Sequence, residues 1–131
     1  MEARSAAITV DAPAERVFEY LSNVENLPRW ATEFARELRS DDGRYVVVNG
    51  LGEFVFTLEA DEATGVIDMY AGPSEDELAL FPTRVVPLPG DRSAFTFTMF
   101  RGPEMPEDRF EAQHASLLRE LENVREEFAR T

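Results

Sequence analysis

Residues 106–130 read PEDRFEAQHASLLRELENVREEFAR, and this segment constrains the fold of the whole chain. Its apolar residues and the only histidine of the sequence recur every three or four positions, which is the spacing of one face of an α-helix. This face comprises Phe110, His114, Leu117, Leu118, Leu121, Val124 and Phe128. The charged residues between them, Glu120 included, are expected to lie outside it. The pattern predicts a long helix with one apolar face, which must cover an apolar surface elsewhere in the protein.

The segments before this helix mostly alternate apolar and polar residues, as β-strands do. A first strand is predicted at residues 6–10, and two short helical pieces follow it up to Trp30. About six more strands are predicted, at residues 34–39, 44–49, 53–60, 66–71, 78–86 and 93–100. Pro82 cannot donate a ladder hydrogen bond, so it indicates an edge position or a bulge in its strand.

This order of elements predicts an α+β fold. A curved antiparallel sheet with one apolar face, wrapped on the long C-terminal helix, satisfies the strand pattern and the helix pattern together. We expect residues 1–131 to form a single domain, because the sequence has no internal repeat or linker and its length suits one core.

The composition indicates a soluble protein. Of the 131 residues, 44% are hydrophobic and ten are Phe, which favours a folded core over disorder. No apolar run approaches the ~18 residues that a membrane span needs, and no secretory signal is recognisable, so we expect a cytoplasmic protein without membrane insertion. The sequence has no cysteine, which excludes disulfides, thiol nucleophiles and thiolate metal sites.

The charge balance is strongly acidic, with a net charge of −13 from 26 acidic and 13 basic residues. Such a chain repels nucleic-acid phosphates and anionic lipid surfaces, so neither is an expected partner. All of its basic residues except the single histidine are arginines. Without lysine, Schiff-base chemistry is excluded.

Residues 8–23, ITVDAPAERVFEYLSN, followed by ENLPRW at residues 25–30, resemble the opening of the START-like helix-grip (SRPBCC) superfamily. That superfamily includes the birch-pollen allergen group, lipid-transfer domains and the bacterial polyketide cyclase/dehydrase family. The resemblance implies a helix-grip fold, in which a seven-stranded sheet grips the C-terminal helix around a hydrophobic cavity. It also implies small apolar or lipid-like ligands in many members and polyketide ring closure in some. No universal catalytic residues come with it.

The first functional hypothesis is therefore that the protein binds a small hydrophobic, lipid-like or polyketide-like molecule between the sheet and the long helix. The residues predicted to line this site are Trp30, Phe54, Phe56, Met69, Phe97, Phe110, His114 and Leu118. His114 would be the polar anchor that orients an otherwise apolar ligand. The same aromatic and methionine residues also suit a plain packed core.

His114 is the central residue of an alternative, enzymatic hypothesis. It could be a structural core residue, a ligand contact, or the acid/base of a cyclase or dehydratase working with Asp68 or Tyr70. The register of residues 66–71 decides that choice, because a shift of one position exchanges the two faces of a strand. We favour Ile67, Met69 and Ala71 pointing inward (which leaves Asp68 and Tyr70 facing solvent), since an unpaired buried carboxylate is costly.

No cofactor or metal is expected. One histidine cannot form a histidine cluster, and the acidic residues 75–77 and 104–108 lack the spacing of a calcium loop. Gly50-Leu51-Gly52 falls short of a dinucleotide-binding motif. A third hypothesis is a protein-interaction module with a solid interior. We expect a monomer or a homodimer, between which the sequence does not decide.

Overall fold

The computed structural model of the protein describes residues 1–129 and contains, within them, one seven-stranded antiparallel sheet and a long C-terminal helix. The strands are β1 (Glu2–Val10), β2 (Glu37–Asp41), β3 (Arg44–Asn49), β4 (Gly52–Asp61), β5 (Val66–Gly72), β6 (Ala79–Leu88) and β7 (Arg92–Arg101). The helices are α1 (Ala14–Leu21), α2 (Leu27–Trp30) and α3 (Glu107–Ala129), with a 3-10 turn at Val24–Asn26 between α1 and α2. The predicted α+β helix-grip fold, with two short helices after the first strand, is confirmed.

The sheet is an open meander with the order β1-β7-β6-β5-β4-β3-β2. β1 pairs with β7 in a register that sets Ile8 opposite Phe95, whereas β2 lies at the other edge. The chain therefore crosses from one edge of the sheet to the other between β1 and β2, and α1 and α2 make up much of that crossing. Because α3 packs against β1 and α2, it leaves room over the middle strands.

The core lies between α3 and the inner face of the sheet. Its fully buried side chains include Phe95, Phe110, Ile67 and Leu121. The Trp30 ring meets the Phe95 ring edge-on, with 6.1 Å between the centroids. Such an edge-to-face contact adds to the burial of both rings and fixes the end of α2 against β7.

The predicted helix at residues 106–130 agrees with α3 except at its ends. Pro106 lies just before the helix, and its carbonyl accepts a hydrogen bond from the Phe110 amide. Arg130 lies outside the described residues.

Two predictions about the faces of α3 are wrong. Glu120 is buried, with 6% of its surface exposed, whereas Leu118 is 46% exposed. The buried face is thus rotated toward Glu120, because α3 contacts α2 and its following loop as well as the sheet.

The predicted strand at residues 34–39 begins later than expected, at Glu37. Residues 31–36 form a loop instead, in which the Ala35 amide bonds the carbonyl of Ala31. The amides of Glu33 and Phe34 donate to the Glu120 side chain. Since these amides are already bonded, residues 33 and 34 cannot use them in a sheet ladder.

Pro82 lies in an interior strand, because β6 is flanked by β5 and β7. The expectation of an edge strand is therefore wrong for β6 as a whole. However, the pairing of β6 with β7 begins only at Thr83, opposite Phe97, while Pro82 is paired with Asp68 on the other side. Pro82 thus occupies a position where β6 has separated from β7, which explains how a residue without an amide proton is accommodated.

The favoured register of β5 is confirmed. Ile67, Met69 and Ala71 are buried on the inner face, and Asp68 and Tyr70 alternate with them on the outer face, where both are half-buried.

Candidate functional site

A cavity of about 500 Å³ lies between the inner face of the sheet and α3. Most of its wall is apolar and comes from α2 and the loop after it, from strands β4 to β7, and from α3: Leu27, Trp30, Ala31, Phe34, Phe56, Met69, Ala71, Phe81, Phe97, Met99 and Leu117. Its volume is within the range of about 300–1,000 Å³ that small-molecule sites occupy. The cavity is therefore large enough for a small organic ligand.

Strand alternation brings these side chains together. Successive side chains of a strand point to opposite faces, so residues two apart, such as Met69 and Ala71 or Phe97 and Met99, share the inner face. Phe56 lies directly opposite Ala71 in the register of β4 and β5. Because Ala71 is small, the sheet surface beside Phe56 is recessed, which contributes to the cavity.

The loop at residues 31–36 and the β3–β4 turn contribute exposed residues to the cavity wall, so we assign the opening of the cavity to this place. Leu51 in this turn belongs to the wall but is 69% exposed, and Arg36 on the facing loop is exposed as well. The Asn49 side chain donates a 2.7 Å hydrogen bond to the carbonyl of Phe34. This bond joins the two segments that form the opening.

Glu120 is the buried acidic residue of the cavity wall. Its Oε2 accepts hydrogen bonds from the backbone amides of Glu33 at 3.1 Å and Phe34 at 3.0 Å. Its Oε1 has no hydrogen-bond partner within residues 1–129 and is not sealed from solvent. Glu120 lies in the cavity wall, so this oxygen is the candidate contact for a molecule inside the cavity.

Burial raises the pKa of Glu120 from 4.5 to about 7, although the hydrogen bonds from Phe34 and Glu33 act in the opposite direction. The nearby charge of Glu33 also raises this pKa, and that of Arg119 lowers it. Near neutral pH the carboxyl group therefore exists in both protonation states. A group with this pKa can accept or donate a proton without a large free-energy cost.

Glu33 has the opposite environment. Its two carboxylate oxygens accept hydrogen bonds of 2.8 and 2.7 Å from the guanidinium of Arg119, which directly precedes Glu120 in α3. This bidentate pairing lowers the pKa of Glu33. Glu33 thus forms an ion pair with Arg119, whereas the more deeply buried Glu120 has no ion-pair partner among the described residues.

The structure brings four of the eight predicted site residues together in the cavity wall: Trp30, Phe56, Met69 and Phe97. The other four lie elsewhere. Phe54 contacts the Phe34 ring at 6.4 Å but is not part of the wall, and Leu118 lies on the exposed side of α3. Phe110 is fully buried, with the Arg4 guanidinium 5.3 Å from its ring centroid. Contact with a ligand stays a prediction for Trp30, Phe56, Met69 and Phe97, the four residues in the wall.

His114 is the fourth residue outside the cavity. Its Nε2 lies 3.3 Å from the backbone carbonyl oxygen of Ser5 in β1. The structure therefore does not bring His114 together with Asp68 and Tyr70, which lie on the outer face of β5. The buried acidic residue of the cavity wall is Glu120 instead, which was predicted to lie outside the apolar face of the helix. The signal for it was its spacing, three residues after Leu117 and four before Val124.

Residues 1–129 offer neither a metal-binding cluster nor a membrane-spanning helix. No group of three or more histidine, aspartate or glutamate side chains in this range is arranged to hold a metal ion. None of the described helices is long and apolar enough to cross a membrane.

Comparison with known proteins places the chain among proteins of the same fold. The family model described as polyketide cyclase/dehydrase and lipid transport matches residues 1–128. XoxI from Bacillus cereus has 14% sequence identity and a TM-score of 0.78, with 98% of this chain and 96% of that chain covered. The Zhui aromatase/cyclase from Streptomyces sp. R1128 has 19% identity and a TM-score of 0.70, covering 98% and 94%.

A START superfamily protein from Mycobacterium smegmatis is similar as well, with 18% identity, a TM-score of 0.65, and 98% and 97% of the two chains covered. No curated protein sequence matches the chain significantly. At these identities the structural likeness establishes the fold and not the ligand or the reaction.

Proposed function

The chain belongs to the polyketide cyclase/dehydrase and lipid transport family, and from this membership we propose that it binds a small hydrophobic molecule, lipid-like or polyketide-like, in the cavity between the sheet and α3. The membership confirms the resemblance drawn from residues 8–30. The observation that carries the proposal is the cavity of about 500 Å³, whose wall is mostly aromatic and aliphatic.

An unfilled apolar cavity is unfavourable, because the side chains that line it lack packing partners on one side. A hydrophobic ligand would supply those contacts and leave water at the same time. The opening at Leu51 and Arg36 gives such a ligand a route from solvent. A protein-interaction module with a solid interior, the third hypothesis above, has less support because the interior contains this cavity.

Solvent extraction and native mass spectrometry of the protein purified from its own host would test the proposal. We expect a bound hydrophobic compound, and a rise in melting temperature when that compound is added back. A ligand at 100 times its Kd stabilises a fold by about 2.7 kcal/mol, which corresponds to a shift on the order of 10 °C. Finding no compound, together with no thermal shift across a lipid and polyketide panel, would contradict the proposal.

A matched pair of variants tests whether the ligand-induced shift in melting temperature arises from binding in the cavity. Ala71→Leu fills space beside Phe56 and should reduce or abolish the ligand-induced shift. Ala115→Leu makes the same change at an exposed position of α3 outside the cavity and should leave the shift intact. Equal shifts in both variants would place the binding site elsewhere.

A cyclase or dehydratase activity is the second candidate function, and Glu120 rather than His114 is the group that favours it. A carboxyl with a pKa of about 7 inside an apolar cavity is suited to general acid–base catalysis. If a polyketide-type substrate is turned over, Glu120→Gln should lower kcat by about 100-fold or more while substrate still binds. An unchanged kcat in this variant would remove Glu120 from the mechanism.

A further inference from the structure

We propose that Glu120 makes the cavity selective for neutral hydrophobic ligands that carry a hydroxyl group, and that it excludes ligands whose polar group is a carboxylate. The proposal rests on the proposed binding function and specifies the ligand class of the same cavity. It depends on which atoms of Glu120 are already bonded and which are left for a ligand.

The two oxygens of Glu120 have different roles. Oε2 is held by the amides of Glu33 and Phe34, which fixes the carboxyl group on the loop that forms one side of the opening. Oε1 is left without a partner within the described residues. Because Oε2 accepts two amide protons, the proton of the neutral acid belongs on Oε1. Oε1 therefore presents either a lone pair or a proton to the cavity.

A hydroxyl group matches Oε1 in both states. It donates its proton to the carboxylate and accepts the proton of the neutral acid, so it satisfies this oxygen at any pH near neutrality. A hydrocarbon without such a group leaves Oε1 unsatisfied when it displaces water from the cavity. A hydrogen bond to a charged group favours the hydroxyl ligand by about tenfold in affinity.

A carboxylate ligand meets the opposite situation. The charged residues in the cavity wall are Glu120, Glu33 and Arg36. Glu33 is already paired with Arg119, and Arg36 is exposed at the opening. On the sheet side, the facing residues Phe56, Met69, Phe97 and Met99 carry no charge. The neutral polar residues of the wall, Asn49, Gln113 and Ser116, carry no charge that would offset a carboxylate. An anionic group placed against Oε1 would thus face a like charge, with only the exposed Arg36 as a cation in the wall, which is unfavourable.

An ammonium group is not the occupant that this geometry favours. It would leave its hydration shell for one carboxyl oxygen in a cavity whose wall is mostly apolar, and desolvation of both charges offsets the attraction between them. The hydroxyl group meets the same oxygen without that cost.

Three probes with one ring system separate these cases: 2-naphthol, naphthalene and 2-naphthoate. Their affinities are measured by isothermal titration calorimetry at pH 8, where both Glu120 and the naphthoate are mostly charged. We expect 2-naphthol to bind about tenfold tighter than naphthalene and naphthoate to bind weakest. Equal affinities, or a preference for naphthoate, would overturn the proposal while leaving hydrophobic binding in place. No binding of any probe would overturn the proposed function, and this selectivity with it.

Two substitutions assign the selectivity to Glu120. In Glu120→Gln the amide oxygen keeps the two backbone hydrogen bonds, and the amide N–H groups face the cavity. We expect this variant to bind naphthoate about tenfold tighter than the unmodified protein does, a gain that misfolding cannot produce. In Glu120→Leu the preference for 2-naphthol over naphthalene should be lost.

Glu126→Gln is the control, because it removes one negative charge from an exposed position of the same helix. It should leave the order of the three affinities unchanged. If Glu126→Gln improves naphthoate binding as much as Glu120→Gln does, the effect arises from net charge, and the selectivity does not belong to Glu120.

Discussion

Glu120 combines burial with a carboxyl group that lacks a cation of its own. Its pKa is raised to about 7 by burial, so the folded protein retains a proton at pH values where the unfolded chain has released it. Since the folded state binds more protons between pH 4.5 and 7, this group's contribution to stability is complete below pH 4.5 and decreases as the pH rises to 7. The full change amounts to about 3 kcal/mol.

Glu120→Gln should remove this dependence. Urea denaturation of both proteins at several pH values between 4.5 and 8 measures it. As the pH rises across this range, the free energy of unfolding of the variant should increase by about 3 kcal/mol relative to that of the unmodified protein. Glu126→Gln serves as the control at an exposed position. Parallel profiles for Glu120→Gln and the unmodified protein would show that the carboxyl group titrates normally.

Residue roles were only partly predictable from the sequence. The spacing of the apolar residues in 110–128 identifies a helix but not the rotation of that helix about its axis. The predicted face, which includes both His114 and Leu118, is wider than the face that α3 buries. Glu120 became a cavity residue because the loop at residues 31–36 supplies two amides to it. The spacing of Glu120 between Leu117 and Val124 was a local signal for its burial, but its pairing with Phe34, 86 positions away, left no such signal.

At the scale of secondary-structure elements, the sequence was more informative. Regular alternation located β4, β5 and β7 within two residues at each end, and the cost of burying Asp68 without a partner correctly indicated which face of β5 is inward. The exceptions lie where tertiary contacts override local preference. The start of β2 is delayed by the loop bonded to Glu120, and Pro82 is tolerated because β6 and β7 diverge.

The turn between β4 and β5 depends on Gly65 for a steric reason. Its φ is +77°, and a Cβ there would overlap the carbonyl oxygen of Val85 in β6. The Val85 amide also donates a 2.9 Å hydrogen bond to the carbonyl of Gly65. The turn is thus held directly against the neighbouring strand.

Gly43 provides a matched comparison, because its φ is also +77° but no atom lies within 4 Å of the same Cβ. Gly43→Ala should cost about 1 kcal/mol, the strain of a left-handed alanine. Gly65→Ala should cost at least about 2 kcal/mol more, since the backbone of β6 must move. Denaturant unfolding of both variants measures the difference, and equal costs would refute the steric role of Gly65.

At the scale of the whole molecule, α3 and the sheet hold an apolar cavity that the sequence pattern alone does not specify. Inward-facing Phe and Met residues suit a solid core equally well, and whether they meet depends on where α3 crosses the sheet. In this structure α3 packs against β1 and α2, and part of the inner face of β4 to β7 lines the cavity instead. The cavity is therefore a consequence of helix placement.

A crystal structure of the protein grown with 2-naphthol tests this account most directly. We predict the naphthalene ring between α3 and the sheet, in contact with Phe56, Met69 and Phe97, with its hydroxyl oxygen within hydrogen-bond distance of Glu120 Oε1. A cavity that contains only water, or a collapsed interior with the ring bound on the outer surface, would contradict the account.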